Sequence, residues 1–154
     1  MVAEPEYALA EPASAEDWDA LHTLRRQELF SRHEGVVYDP NHPHDRPPNI
    51  PLVLRHRGVA IGTARLDPIA SDIVVLRLVA IDRARQGEGH GRVLMAMFEE
   101  LARKRGASRV LVNAHPAATK FYERLGYGPE AWDDPSGARG GIASSCVQMS
   151  KALD

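Results

Sequence analysis

One stretch constrains this chain more than any other. Gln86-Gly87-Glu88-Gly89-His90-Gly91 alternates glycine with polar residues and stands directly between an apolar run and an amphipathic one. Upstream, Ile73 to Ile81 is apolar at every position but Arg77. Such a β-branched run reads as a central strand buried on both faces. Downstream, Val93, Leu94, Met97, Phe98 and Leu101 fall at i, i+1, i+4, i+5 and i+8, on one face of a helix. Arg103, Lys104 and Arg105 close that helix where its dipole favours cations, and Gly106 supplies the stop. A short apolar strand, Val110 to Val112, follows. Strand, glycine turn, helix and strand make a βαβ unit, expected to have parallel strands and a right-handed crossover.

A turn of this kind has a chemistry. Glycines let the backbone approach a ligand closely, and the start of a helix offers unpaired N–H groups and the positive end of its dipole. A phosphate or pyrophosphate is the expected guest; a plain tight turn is the alternative that glycine spacing alone does not exclude. The dinucleotide fingerprint G-x-G-x-x-G fails, because Arg92 stands where the third glycine belongs and no acid follows about 20 residues on. The P-loop fails for want of Gly-Lys-Ser/Thr.

The other segments fit around this unit. Tyr7 to Ala10 reads as a first strand. Ser14 with Asp17 resembles a capping box, and Trp18, Leu21, Leu24, Leu29 and Phe30 predict a helix from Ala15 to Ser31. Gly35 to Asn49, with four prolines among His, Asp and Asn, reads as a loop with fixed bends, long enough to suspect a function. Ile50–His56 and Val59–Leu66 read as strands joined by a tight turn at Arg57-Gly58, with further turns at Asp67-Pro68 and Ser71-Asp72. Pro116 opens a short helix that Gly126 ends; Gly137 to Gly141 reads as a turn, and Ile142 to Lys151 as a last strand.

Composition sets the outer limits. At 154 residues the chain is expected to form one domain with a full core. Its net charge of −2 offers no global field for nucleic acid or an anionic membrane, and no apolar run reaches the ~20 residues of a membrane span. Cys146 is the only cysteine, so no internal disulfide forms. The first residues lack the basic and apolar regions of a signal peptide, and a cytoplasmic location is expected.

Gln86-x-x-Gly89-x-Gly91 after an apolar strand resembles the R/Q-x-x-G-x-G/A motif of the GNAT superfamily of N-acetyltransferases. Asn113, Ala118, Phe121, Tyr122, Gly126 and Tyr127 match a second pattern of that superfamily, an Asn ending a strand and then A-x-x-F-Y-x-x-x-G-[FY]. Arg26, Phe30, Glu34, Gly35 and Tyr38 resemble a block of its ElaA-like branch, without the usual Gln after Glu34. The resemblance implies an α/β fold, a mixed sheet of α+β type with two splayed central parallel strands flanked by helices.

It also implies acetyl-CoA as co-substrate and direct transfer of the acetyl group to a primary amine, on a small molecule or a protein. Val79, Ala80 and Ile81 would offer backbone groups to the pantetheine arm. The amides of Gln86, Gly87, Glu88, Gly89, His90 and Gly91 would hold the pyrophosphate, with Arg92 and Lys120 as candidates for outer phosphates. Asn113, Ala118 and Phe121 would complete the cofactor side. Tyr122 matches the general acid, with core packing as the bland alternative. The superfamily's usual base on the central strand is absent, because Arg77 is the sole ionisable residue there. Glu34 is the candidate base from the branch block, beside His56, His115 or a base acting through water. A non-catalytic CoA-binding sensor or partner module is the alternative function, and a homodimer is a possible assembly.

Seven histidines raise the question of a metal. His42-x-His44-Asp45, with His33 and Asp39 nearby, matches no common ligand spacing. No metal site is assigned, and the segment reads as a loop shaping the acceptor site. His90 is expected to matter through its backbone rather than its ring, and Trp18 and Trp132 through packing.

Overall fold

The computed structural model describes residues 5–30, 37–136 and 145–154. Seven strands form one mixed sheet in the order β1-β2-β3-β4-β5-β7-β6. The chain divides into two units, Met1–Leu66 with Leu78–Phe98, and Asp67–Arg77 with Glu99–Asp154.

In the first unit, β1 (Tyr7–Ala10) pairs antiparallel with β2 (Ile50–His56), and β2 with β3 (Val59–Ala70). The hairpin turn is the expected Arg57-Gly58, both left-handed at φ 50° and 82°. Two such residues match the right-handed twist of the strands they join. A bulge at Leu54/Arg55 precedes it. Leu52 and Leu54 face Ala64 and Gly62 across the ladder, and all but the glycine are counted in the buried core with Leu94, Met95 and Phe98. Gly62 is small by necessity: a Cβ there would lie 2.9 Å from Ile81 Cδ1 and 3.0 Å from the Ala80 carbonyl oxygen. Gly62→Ala is therefore expected to cost about 1–3 kcal/mol of stability in urea unfolding. An unchanged midpoint would show that the strands give way freely.

Helix α1 (Ala15–Arg25) opens on the predicted capping box. Ser14 Oγ accepts from the Asp17 amide at 3.1 Å, and Asp17 Oδ2 accepts from the Ser14 and Ala13 amides at 3.2 and 2.9 Å. Those two amides, helped by Arg55, hold the Asp17 carboxyl down at a pKa of about 2. The helix does not run to Ser31 as its periodicity predicts. It widens into a π turn at Arg26–Phe30, and Ser31 lies outside the described residues. The π turn coincides with two contacts: Phe30 packs on the Tyr38 ring at 5.0 Å and the Arg26 guanidinium lies over the same ring at 5.2 Å.

In the second unit, β4 (Ile73–Ile81, of which Ile73–Arg77 belong here) pairs parallel with β5 (Arg109–Ala114). The ladder covers Ile73–Leu76 and Arg109–Val112. β5 then pairs antiparallel with β7 (Val147–Ala152) along its whole length. The two-residue β6 (Gly128–Pro129), too short to show in the pattern, joins β7 at Ser150 and Met149. The last strand thus begins at Val147; Gly137–Gly141 and Ile142–Ser144 of the expected turn and strand lie outside the described residues.

β3 also departs from expectation, continuing through Asp67-Pro68 to Ala70. Asp67 looks like a turn residue, yet it is buried against Arg77. Helix α2 (His90–Lys104) starts where the glycine turn ends. Its buried positions are His90, Leu94, Met95, Phe98, Glu99 and Ala102, with Val93, Met97 and Leu101 at the margin. Among the described residues, no helix is long and apolar enough to cross a membrane.

Candidate functional site

β4 changes character along its length. Val74–Leu76 are buried, as a central strand requires, but Arg77–Val79 are only partly covered. Leu78 takes a left-handed φ of 51° inside the strand. Both β4 and β5 run past the last laddered pair, Leu76 with Val112, to Ile81 and Ala114. Val79, Ala80 and Ile81 therefore follow a reversal of backbone hand.

The strand end is tied down on both sides. The Asp82 amide donates to the Ile61 carbonyl at 2.7 Å, and Gln86 Nε2 donates to the Ile81 carbonyl at 3.0 Å. A 3-10 turn at Arg83–Arg85 leads into the glycine turn. Gly87 and Gly89 have φ of 84° and 90°, with nothing within 4 Å of where a Cβ would stand. Backbone conformation, not crowding, selects glycine at these two positions. Gly91 already lies within α2, and Arg92 is exposed.

His90 corrects the expectation that its ring is incidental. The residue is 4% exposed and its imidazole is engaged at both nitrogens. Nδ1 lies 2.7 Å from the Tyr7 hydroxyl and Nε2 lies 2.9 Å from Glu88 Oε1. Tyr7 stacks on His56 with ring centroids 4.6 Å apart, and His56 lies 4.8 Å from His90.

In the second unit, a 3-10 turn at Pro116–Ala118 leads into α3 (Thr119–Arg124). Tyr122 on α3 is 6% exposed, with its ring edge-on to Phe121 at 5.2 Å and to Tyr127 at 5.5 Å. Burial first, and then Cys146, pushes its phenol up to a pKa of about 12. Tyr122 is therefore a neutral hydrogen-bond donor at any ordinary pH. Tyr127 is anchored through its hydroxyl to Glu99 Oε2 at 2.9 Å, and Lys151 Nζ meets Glu99 Oε1 at 2.8 Å.

β5 runs one residue past Asn113, to Ala114, rather than ending on it, and the Asn113 side chain is committed: Nδ2 donates to Asp134 Oδ2 at 3.0 Å. The same carboxylate accepts from Arg77 Nη1 at 2.9 Å and Nη2 at 2.7 Å, while Arg77 Nε donates to Asp67 Oδ2 at 2.8 Å. The lone Arg in an apolar strand thus anchors an ion-pair group that sequence reasoning missed. A signal was available, since a buried guanidinium demands counter-charges; their positions, 10 and 57 residues away in sequence, were not.

The base candidates separate. Glu34 lies outside the described residues. His115 is exposed and its Nδ1 accepts the Ala117 amide at 3.0 Å, capping the 3-10 turn. His56 is stacked on Tyr7 and tilted against His90, with Nε2 at 3.5 Å from Glu6 Oε1. In the proline-rich loop, Asp45 takes both terminal nitrogens of the buried Arg25 at 2.8 and 3.0 Å, and His42 Nδ1 accepts the His44 amide at 3.1 Å. Asp45 is therefore spent on an ion pair, and His33 lies outside the described residues.

Residues 16–127 match the sequence profile of the acetyltransferase (GNAT) family, and the chain belongs to that family. A structure from Lactobacillus plantarum, provisionally named an N-acetyltransferase, is 28% identical, with 97% of this chain and 100% of that one covered at a TM-score of 0.76. Escherichia coli ElaA shares the fold at 19% identity, with 95% and 98% covered and a TM-score of 0.72. The fold also recurs in N-acetylglutamate synthase from Neisseria gonorrhoeae, complexed with coenzyme A and L-arginine, at 19% identity and a TM-score of 0.73. That match covers 97% of this chain and 34% of that one.

Proposed function

We propose that this protein is an acetyl-CoA-dependent N-acetyltransferase in which a primary amine attacks the thioester directly. The observation that carries the reading is the turn with left-handed Gly87 and Gly89 at the start of α2. Its open backbone fits a pyrophosphate, because helix N-terminal amides bind an anion without spending side-chain charge.

Each residue then has a part. The amides of Gln86 to Gly91 hold the pyrophosphate, and Val79, Ala80 and Ile81 bond the pantetheine arm through their backbone groups. The Val79 N–H polarises the thioester carbonyl in the manner of an oxyanion hole. Tyr122 donates to the sulfur as the thiolate leaves. Its pKa of about 12 exceeds a thiol's ~8.5. Full proton transfer is therefore uphill by about 5 kcal/mol, so Tyr122 stabilises the thiolate by a hydrogen bond and water completes its protonation. No base on β4 is needed if solvent takes the amine's proton; Arg77, held by two carboxylates, does not serve as one.

The test is thiol release from acetyl-CoA in the presence of an amine panel, with CoA binding followed by calorimetry. Binding and amine-dependent release are expected. CoA binding without release to any acceptor would point to a sensor, and absence of both would overturn the reading.

A further inference from the structure

The turn that offers its amides to an anion carries an anion of its own. Glu88 sits between the two left-handed glycines, two residues before the start of α2, with its side chain 57% exposed. A carboxylate at that place is an intramolecular competitor, since the N-terminus of a helix attracts any nearby negative charge. It would also repel a phosphate already seated there. Something must hold it aside, and the structure provides the means. Glu88 Oε1 lies 2.9 Å from Nε2 of His90, a ring that is almost wholly buried.

The hydrogen bonding is determined at one end. A carboxylate only accepts, so the proton of this contact is on Nε2. Nδ1 meets the Tyr7 hydroxyl, which can donate to it or accept from it. The buried ring is held in place, because the Tyr7 hydroxyl on β1 meets Nδ1 and the His56 ring at the end of β2 packs beside it, tilted, with centroids 4.8 Å apart. The charged and titratable groups around it are Tyr7, His56 with Glu6 against it, and Glu88.

We propose that His90 is a positioning residue of the cofactor turn: its Nε2–H holds the Glu88 carboxylate back and so leaves the amides of the turn free for pyrophosphate. This rests on the reading of the turn as a CoA site and adds a requirement that the reading does not contain. The backbone of His90 serves the ligand directly, while its ring serves by restraining a neighbour.

The test is a double-mutant cycle read by calorimetry with CoA, with each variant checked for folding by its circular dichroism melt. His90→Asn keeps a polar group near Tyr7 but loses the reach to Glu88. It is expected to weaken CoA binding about tenfold, the order of effect a charge at a helix N-terminus has. His90→Gln, whose amide nitrogen reproduces Nε2, is expected to bind within about twofold of the parent. The decisive protein is H90N/E88Q. Removing the carboxylate should remove the defect and return affinity to within about twofold of E88Q alone. A double variant as weak as H90N would show that the ring merely supports the turn and would overturn the proposal, as would an H90N that binds like the parent. A parent protein that does not bind CoA would instead overturn the reading of the turn itself.

Discussion

Tyr122→Phe is expected to lower turnover roughly 100-fold while CoA affinity stays within about twofold. The substitution removes one oxygen and keeps the ring that packs edge-on against Phe121 and Tyr127. The size of the effect follows from the phenol's environment. Burial raises its pKa to about 12, so in the proposed role it would donate a hydrogen bond to the departing sulfur without surrendering its proton. That places the loss at the lower end of the range for positioned acids and bases, about 10²–10⁴-fold. Steady-state turnover beside calorimetric CoA affinity checks it. Equal losses in both would mean that the hydroxyl holds cofactor rather than acting on the leaving group, and an unchanged turnover would remove its catalytic role. The same environment predicts that the alkaline limb of the rate profile does not belong to Tyr122.

Asp134→Ala is expected to be the most damaging single change to the fold, at about 3 kcal/mol or more in urea unfolding. Asp134 receives both terminal nitrogens of Arg77, the Asn113 amide and the backbone and hydroxyl of Ser136. Its side chain is fully buried, and that of Arg77 is 11% exposed. Truncation leaves a buried guanidinium with Asp67 and whatever water can enter. Neutralising the whole group, as in D67N/R77M/D134L, should cost less than the single change, because neither Arg77 nor Asp67 is then left without its opposite charge.

The linkage has a definite sign. Despite its burial, the Asp134 carboxyl is held well below the usual carboxylate range by Arg77 and Ser136. Its contribution is therefore fully present above the unfolded pKa of about 4 and is lost as pH falls from there towards the folded pKa. The stability gap between parent and D134A should narrow in acid. A loss under about 1 kcal/mol at neutral pH would show that the group is solvated and its charges dispensable.

The sequence was most readable where structure is local. The capping box of Ser14 and Asp17, the Arg57-Gly58 hairpin and the junction of glycine turn and α2 each depend on residues within a few positions of one another. What escaped was set by partners far along the chain. The helix after Ala15 lost its α geometry at Arg26, where Tyr38 takes up Phe30 and Arg26. Asp67 looks like a turn residue in the sequence because its partner, Arg77, lies across the strands. The His90 ring looks incidental in the sequence because nothing near it announces Tyr7, 83 residues away. Both misread polar side chains are buried. Hydrophobic patterning marks where the core lies and is silent on which polar groups enter it with a partner.

Leu78 divides a single strand into two materials. Before it, β4 is consumed by its own sheet: Val74–Leu76 are buried and laddered to β5. After it, Val79–Ile81 keep strand conformation beyond the last laddered pair. Holding a leucine at positive φ costs about 1–2 kcal/mol. The cost marks where the β5 ladder ends and a stretch with its own anchors begins: the Asp82 amide on the Ile61 carbonyl and the Gln86 side chain on the Ile81 carbonyl. A reversal of hand at one residue thus lets a single strand serve two sets of partners.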